Sequence, residues 1–273
     1  MNASVGKAQF AWQPLTVRGV AAFAGESLRR LVLVQFIVAL LAGGSVVWFV
    51  HKAWFPTIGE AIHQLPAQGE LRFGRLSWLG DSPTCLAEGR FLAITVDLDH
   101  AGTARSPAHV QVEFGRADFK IYSLLGYVQW SYPPGRALAF NATELGPWWG
   151  AWAPAILAIV GGTVVAGLMA SWACLATVYC IPAWLISYFT NRECGLGGSW
   201  RLAGAALMPG ALLMCGAILL YGWGALDLVR LAAAGAAHLV IGWVYLIVSP
   251  LCLPRRAAVA AAAAAAAKEN PFA

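Results

Sequence analysis

The sequence predicts a membrane α-helical bundle of four spans, with five as the alternative, and a small extracytoplasmic antiparallel β-rich domain inserted between the first and second spans. Three observations predict it. Of 273 residues, 59% are hydrophobic and 11% charged, against about one quarter charged in soluble domains. Segments 31–50, 147–189, 202–225 and 231–253 contain no Lys, Arg, Asp or Glu, and each reaches the roughly 20 apolar residues that a helix needs to cross a hydrocarbon core. Residues 51–146 hold nine of the thirteen acidic residues, and their charged and apolar side chains alternate as in half-buried strands.

Residues 1–30 are read as a cytoplasmic segment, because Lys7, Arg18, Arg29 and Arg30 precede the first span, 31–50, and basic residues favour the inside. That span is longer than a signal-peptide core and no small-x-small site follows it, so it is expected to be a retained anchor. Residues 51–146 form the inserted domain. "WFPTIGEAIHQL" predicts a short amphipathic helix leading from the bilayer. "ELRFGRLSW", "RFLAITVDLD", "HVQVEFG" and "DFKIYSLL" then alternate with period two, and "LDHAGTARSP" is a loop between strands.

The bundle, 147–253, contains the ambiguous segment 147–189, too long for one ordinary span. A single crossing keeps Arg192, Arg201, Arg255, Arg256 and Lys268 on the side of the N-terminus, with only Arg230 opposite. Four crossings therefore fit the charge bias better than five, and the surplus, 169–189, is expected to be an interfacial or re-entrant helix bent near Pro182. Trp148, Trp149 and Trp152 stand where the chain re-enters the bilayer, as interfacial anchors do. The tail, 254–273, is alanine-rich and cytoplasmic, a short helix or a frayed end.

The order of one span, "LPAQGELRF", "ITVDLDHAG" and a bundle containing "SYFTNRECGLGGSWRLAGAALMP" resembles a bacterial family of uncharacterised membrane proteins, some labelled maltodextrin-utilisation proteins. The bundle is also similar to the Yip-type membrane domain. The resemblance implies a shared topology with an extracytoplasmic β-domain and brings no catalytic residues with it. Gly197, Gly198, Arg201 and Pro209 match the pattern best; the glycines are expected to permit a turn and Arg201 to anchor a helix end.

Motifs for phosphate-binding loops, zinc helices, nucleophile elbows and paired C-x-x-C sites are lacking. No catalytic, cofactor-binding or metal residues are assigned, and no cofactor is expected. Cys85 alone falls in the insert; Cys174, Cys180, Cys215 and Cys252 lie in apolar segments and Cys194 in a loop. Glu60 and His63 share one helix face, and Asp97, Asp99 and His100 cluster in "DLDH", where alternation places Asp97 and Asp99 on one face as candidates for a cation loop. His238 is the one ionisable group well inside a span, which raises a functional hypothesis. The apolar spans carry no carboxylate, which disfavours a self-sufficient carrier, and the surplus of five positive charges shows no basic stripe suited to nucleic acid.

These readings point to a non-catalytic integral protein of the bacterial inner membrane, an envelope scaffold or accessory protein whose insert binds a protein partner. An accessory subunit of a solute or lipid transport system is one alternative. An intramembrane enzyme using His238 with Ser171 or Thr177 is another. The lipid bilayer is the remaining expected partner, and small-residue stretches leave a homo-oligomer open.

Overall fold

The structure, a computed structural model, describes residues 12–135 and 137–269. Lys7 and the side chain of Lys268 lie outside the described residues. The chain runs α1 Val17–Ala22, a 3-10 turn Phe23–Gly25, α2 Leu28–Ala53 and α3 Phe55–His63. Eight strands follow: β1 Gly69–Arg72, β2 Arg75–Trp78, β3 Thr84–Glu88, β4 Leu92–Val96, β5 Val110–Phe114, β6 Asp118–Ser123, β7 Gly126–Ser131 and β8 Leu138–Ala139. The remainder is helical: α4 Ala142–Phe189, α5 Leu196–Ala206, α6 Met208–Gly222, α7 Leu228–Val248, a 3-10 turn Ser249–Cys252 and α8 Arg256–Glu269. Two compact units divide the chain, one of Met1–Ser45 with Gly161–Ala273 and one of Val46–Val160.

Among the described residues, four stretches are long and apolar enough to cross a membrane: Leu28–His63, Ala142–Phe189, Leu196–Gly222 and Leu228–Cys252. The most apolar window of Ala142–Phe189 has no buried residue. Helix α7 likewise exposes Leu239, Val240, Trp243, Val244 and Ile247. Contiguous apolar faces of this size are rare on proteins in water and are suited to a lipid environment.

The core of the helical unit is built on close helix approach. In α2, Leu31, Val34, Val38, Ala39 and Ala42 are buried, an amphipathic spacing of three and four residues. Gln35, at 5% exposure, donates from Nε2 to the Gly204 carbonyl at 3.1 Å. A Cβ on Gly43 would stand 3.2 Å from the Gly161 carbonyl, and one on Gly210 would stand 2.6 Å from the His238 carbonyl. Small residues thus set these contacts, as in other membrane bundles.

Two expectations are corrected in the helices. Residues 169–189 are not set off as a separate helix at Pro182: α4 is one 48-residue helix from Ala142 to Phe189. At about 1.5 Å per residue its 48 residues amount to roughly 72 Å of helix, well beyond the roughly 30 Å of a hydrocarbon core. Segment 202–225 begins earlier and is two helices, α5 and α6, which meet at Leu207 just before Pro209. Proline lacks the N–H for the previous turn and fits the start of a new helix.

The other unit contains two sheets, ordered β2-β1-β8 and β3-β4-β5-β6-β7. The larger is mixed rather than antiparallel, because β4 and β5 pair in parallel. Their connection, residues 97–109, crosses over the sheet instead of turning back, as a parallel pair requires. "ELRFGRLSW" is a hairpin rather than one strand, with Phe73 and Gly74 both at positive φ in its turn, the conformation that a two-residue hairpin loop needs. Helix α3 lies against β3 and β4, and Ala61 and Leu65 join Leu76, Leu86, Val96, Tyr132 and Phe140 in the core.

Candidate functional site

Strand alternation gives the five-stranded sheet one apolar and one polar face. On the apolar face Val96, Phe114, Phe119 and Trp130 stand in a row across β4 to β7. On the polar face the register aligns Thr95, Glu113, Lys120 and Gln129, and beside them Ala93, Gln111, Tyr122 and Tyr127. Segment 97–109 straps this polar face. Gln111 Nε2 donates to the Ala104 carbonyl at 2.8 Å and to Thr95 Oγ1 at 3.0 Å, while its Oε1 accepts from Ser106 N at 3.1 Å. Ser106 Oγ donates to Glu88 Oε1 at 2.7 Å, and the Arg105 guanidinium lies 3.9 Å from the Tyr122 ring centroid.

His100 pins the strap. Its Nδ1 is 2.6 Å from Glu113 Oε1 and its Nε2 is 2.5 Å from Asp118 Oδ1. Ionised carboxylates only accept hydrogen bonds, so with both of them ionised both ring nitrogens donate and the ring is held as an imidazolium. Glu113 Oε1 also accepts from the Tyr122 hydroxyl at 3.2 Å, Glu113 is fully buried, and its Oε2 has no hydrogen-bond partner. Asp118 Oδ2 accepts from Gln129 Nε2 on β7. His100 sits at φ +52°, and Gly115 gives it room: a Cβ there would meet the imidazole.

The charges follow the geometry. Burial lowers the His100 pKa, but the bonds to Asp118 and Glu113 outweigh it, Lys120 opposes them, and the net shift is upward. Burial raises the Asp118 pKa, but the bonds from His100 and Gln129 outweigh it and the net shift is downward. Burial, and then the Glu113 charge, raise that of Tyr122. Burial and Glu88 raise the Cys85 thiol, so this exposed cysteine is not activated as a nucleophile.

The free edge of the same sheet adjoins this network. Every residue of β7 is exposed, and the strand carries no charge. Tyr127, Val128 and Trp130 project from it, and the hairpin tip ends in Leu124 and Leu125, the latter 97% exposed. The opposite edge, β3, is guarded by a bulge between Cys85 and Ala87, by Glu88, and by Pro83 just before it, devices that block strand addition.

The residues singled out in the sequence are distributed differently. Asp97, 1% exposed, accepts from Gly102 N at 3.0 Å and so shapes the strap. Asp99 is exposed and faces Arg116 at 3.4 Å. The two aspartates therefore do not converge as a cation loop, because the backbone leaves the strand at Asp97 and alternation ends there. Glu60 and His63 are exposed on α3, and among the described residues no group of three or more His, Cys, Asp or Glu is placed to hold a metal ion.

In the helical unit, His238 lines a cavity of about 160 Å³ with Ser171, Trp172, Tyr179, Leu207 and Trp243. The hydroxyl of Ser171 donates to its own helix at Leu168 O, and that of Thr177 donates to Ala173 O, so neither is presented to His238 as a nucleophile. Arg192 donates to Leu253 O at 2.6 Å, and Arg256 donates from N to Asn191 O and from Nε to Arg192 O. With the Arg192–Arg255 bridge, they tie the end of α4 to the segment after α7. Arg201 donates to Ala24 O at 2.6 Å, beside Gly198, where a Cβ would stand 3.2 Å from the same carbonyl. Gly197 and Gly198 thus lie within α5, and Gly198 serves close approach rather than a turn. Arg30 pairs with Glu26 at 2.6 Å, and Arg29 is exposed in the first turn of α2. In the other unit, Trp149 packs on Phe55 with centroids 4.6 Å apart, and Trp148 stacks on Trp152.

The chain matches no protein-family model, no curated protein and no solved structure. Its function is therefore argued from its own residues.

Sequence reasoning named His100 but not its partners Glu113, Asp118 and Tyr122. The available signal was the alternation itself, which puts Gln111 and Glu113 on one face of β5 and Asp118, Lys120 and Tyr122 on one face of β6.

Proposed function

We propose that the chain is a non-catalytic protein of the bacterial inner membrane that acts as an envelope scaffold or accessory protein. Its β-domain, exported between the first and second spans, takes up an extended segment of a partner protein as an added strand on β7. Both chain ends lie in the cytoplasm in this reading, supported by the basic residues Arg29, Arg30, Arg192, Arg201, Arg255 and Arg256 that flank the apolar segments.

The observation that carries the proposal is the asymmetry of the two sheet edges. Strand β3 is guarded, whereas β7 is six residues long, uncharged and fully exposed. An open apolar edge offers main-chain hydrogen bonds for affinity and alternating side chains for selectivity. An open edge without a partner also invites aggregation.

The test is photo-crosslinking in intact cells from a probe at Tyr127, with and without Val128→Lys. One discrete partner captured by the probe and lost with Val128→Lys, in a protein of unchanged thermal stability, supports the proposal. Capture unaffected by Val128→Lys, or capture only of a second copy of this chain, overturns it.

A further inference from the structure

We propose that the Glu113–His100–Asp118 triad is a proton-operated clasp: the imidazolium holds strap 97–109 closed over the polar sheet face, and loss of its proton releases the strap. This goes beyond the docking reading and does not depend on it. One link joins them, since Asp118 is shared between His100 on the strap and Gln129 on the open edge.

The geometry needs the charged ring. Two carboxylates from neighbouring strands approach its two nitrogens at 2.6 and 2.5 Å. A neutral imidazole donates from one nitrogen only, so deprotonation turns one of these bonds into a contact between two acceptors. If the proton is lost at Nδ1, the fully buried Glu113 is left with only the Tyr122 hydroxyl, its Oε2 already having no partner. A buried charge stripped of its counter-charge is strongly destabilising. The strap can respond because its ties to the sheet other than His100 are neutral or surface-exposed, the buried Asp97 carboxylate bonding within the strap at Gly102 N, and because His100 is already in a strained left-handed conformation at φ +52°.

The surrounding charges do not replace the imidazolium. Besides Glu113 on β5 and Asp118 on β6, the titratable groups are Lys120 and Tyr122 on β6, Asp97 at the end of β4, Arg105 in the strap, and Tyr132 just after β7, whose hydroxyl donates to Gly115 O. Lys120 opposes the charged ring, Asp97 is engaged with Gly102 N, and Arg105 stacks on Tyr122. Strand β7 contributes the neutral Gln129 and Tyr127. The sign follows from linkage: the histidine is raised, so the clasp is fully formed below the ordinary histidine value of about 6.5 and opens as pH rises through the raised one.

The experiment uses the full chain in lipid nanodiscs. Histidine Cε1 labelling gives the His100 titration by NMR, assigned by its absence in His100→Asn, and hydrogen exchange of 97–109 is followed across the same pH range, corrected for intrinsic rates. Asparagine is chosen because it tolerates the left-handed backbone. Expected are a His100 titration above the ordinary value and strap protection that falls in step with it. The fall should be about tenfold for each unit by which the closed-state value exceeds the open-state one. Asp118→Asn should lower the titration, and His100→Asn should remove the pH dependence. A wild-type titration at or below the ordinary value, or strap protection unchanged through it, overturns the clasp. Neither readout uses the Tyr127 crosslink, so failure of the docking reading leaves this result standing, and the reverse also holds.

Discussion

Gly115→Ala isolates the fit of the His100 ring. Gly115 is not among the positive-φ glycines, so alanine brings no backbone penalty, and the effect must come from its methyl group. That Cβ would run first into His100 Nε2, and it would lie 2.6 Å from His100 Cε1 and 3.0 Å from Asp118 Oδ1, against about 3.5–4.0 Å for an ordinary contact. Relief requires the ring to retreat by more than about 1 Å, which lengthens the two charge-assisted bonds beyond the normal range. Overpacking costs about 1–3 kcal/mol and a lost charged hydrogen bond about 1.5–3 kcal/mol. Because the ring can move partly into solvent, a total near 2–4 kcal/mol is expected. The assay is native-state hydrogen exchange of the β5 and β6 amides, since a chain of two units does not unfold in one step. Repeating the substitution in His100→Asn closes a double-mutant cycle. A coupling of at least about 1 kcal/mol is expected. Equal costs in the two backgrounds, within about 0.5 kcal/mol, would refute the claim that this glycine exists to admit the imidazole.

Other outcomes follow from the same contacts. Gly210→Ala should destabilise the bundle by about 1–3 kcal/mol through its clash with the His238 carbonyl. Gly216→Ala, with nothing within 4 Å of the new Cβ, should be neutral or stabilise by up to about 1 kcal/mol; thermal unfolding in one detergent ranks the two. Gln35→Met should cost less than about 1 kcal/mol, because a membrane-buried side-chain hydrogen bond averages about 0.6 kcal/mol, measured by the same method. Protection of the β-domain should peak between about pH 4 and 6.5. It declines in acid as pH falls through the lowered Asp118 value and in alkali as pH rises through the raised His100 value, as hydrogen exchange would show.

How much could be read beforehand differs between the two units. Apolar runs report membrane-length helices directly, because the bilayer penalises each charge independently of its neighbours. The fate of 169–189 was not legible, since nothing local distinguishes a chain that starts a new helix at a proline from one long continuous helix when proline is tolerated by the surrounding structure. In the β-domain, period-two patterns located β4, β5 and β6, and the Gly-Pro-Ser-Asp punctuation marked the loop over 98–107. The reversal within "ELRFGRLSW" was missed because Phe73 and Gly74 preserve the alternation while turning the chain. Strands β3, β7 and β8 were missed as well; β8 is only two residues long, and β7 is exposed throughout and pairs on one edge alone.

By itself, the sequence determined that this is a chain of several membrane-length apolar helices with a polar, strand-rich insert. Composition and periodicity act residue by residue and survive any arrangement of the elements. Only the tertiary structure decided that β4 and β5 run parallel, that the connection between them becomes a strap, and that His100 falls between Glu113 and Asp118. Those facts depend on register between strands distant in sequence. A one-residue slip would carry Glu113 and Asp118 to the apolar face, leaving the histidine without either carboxylate.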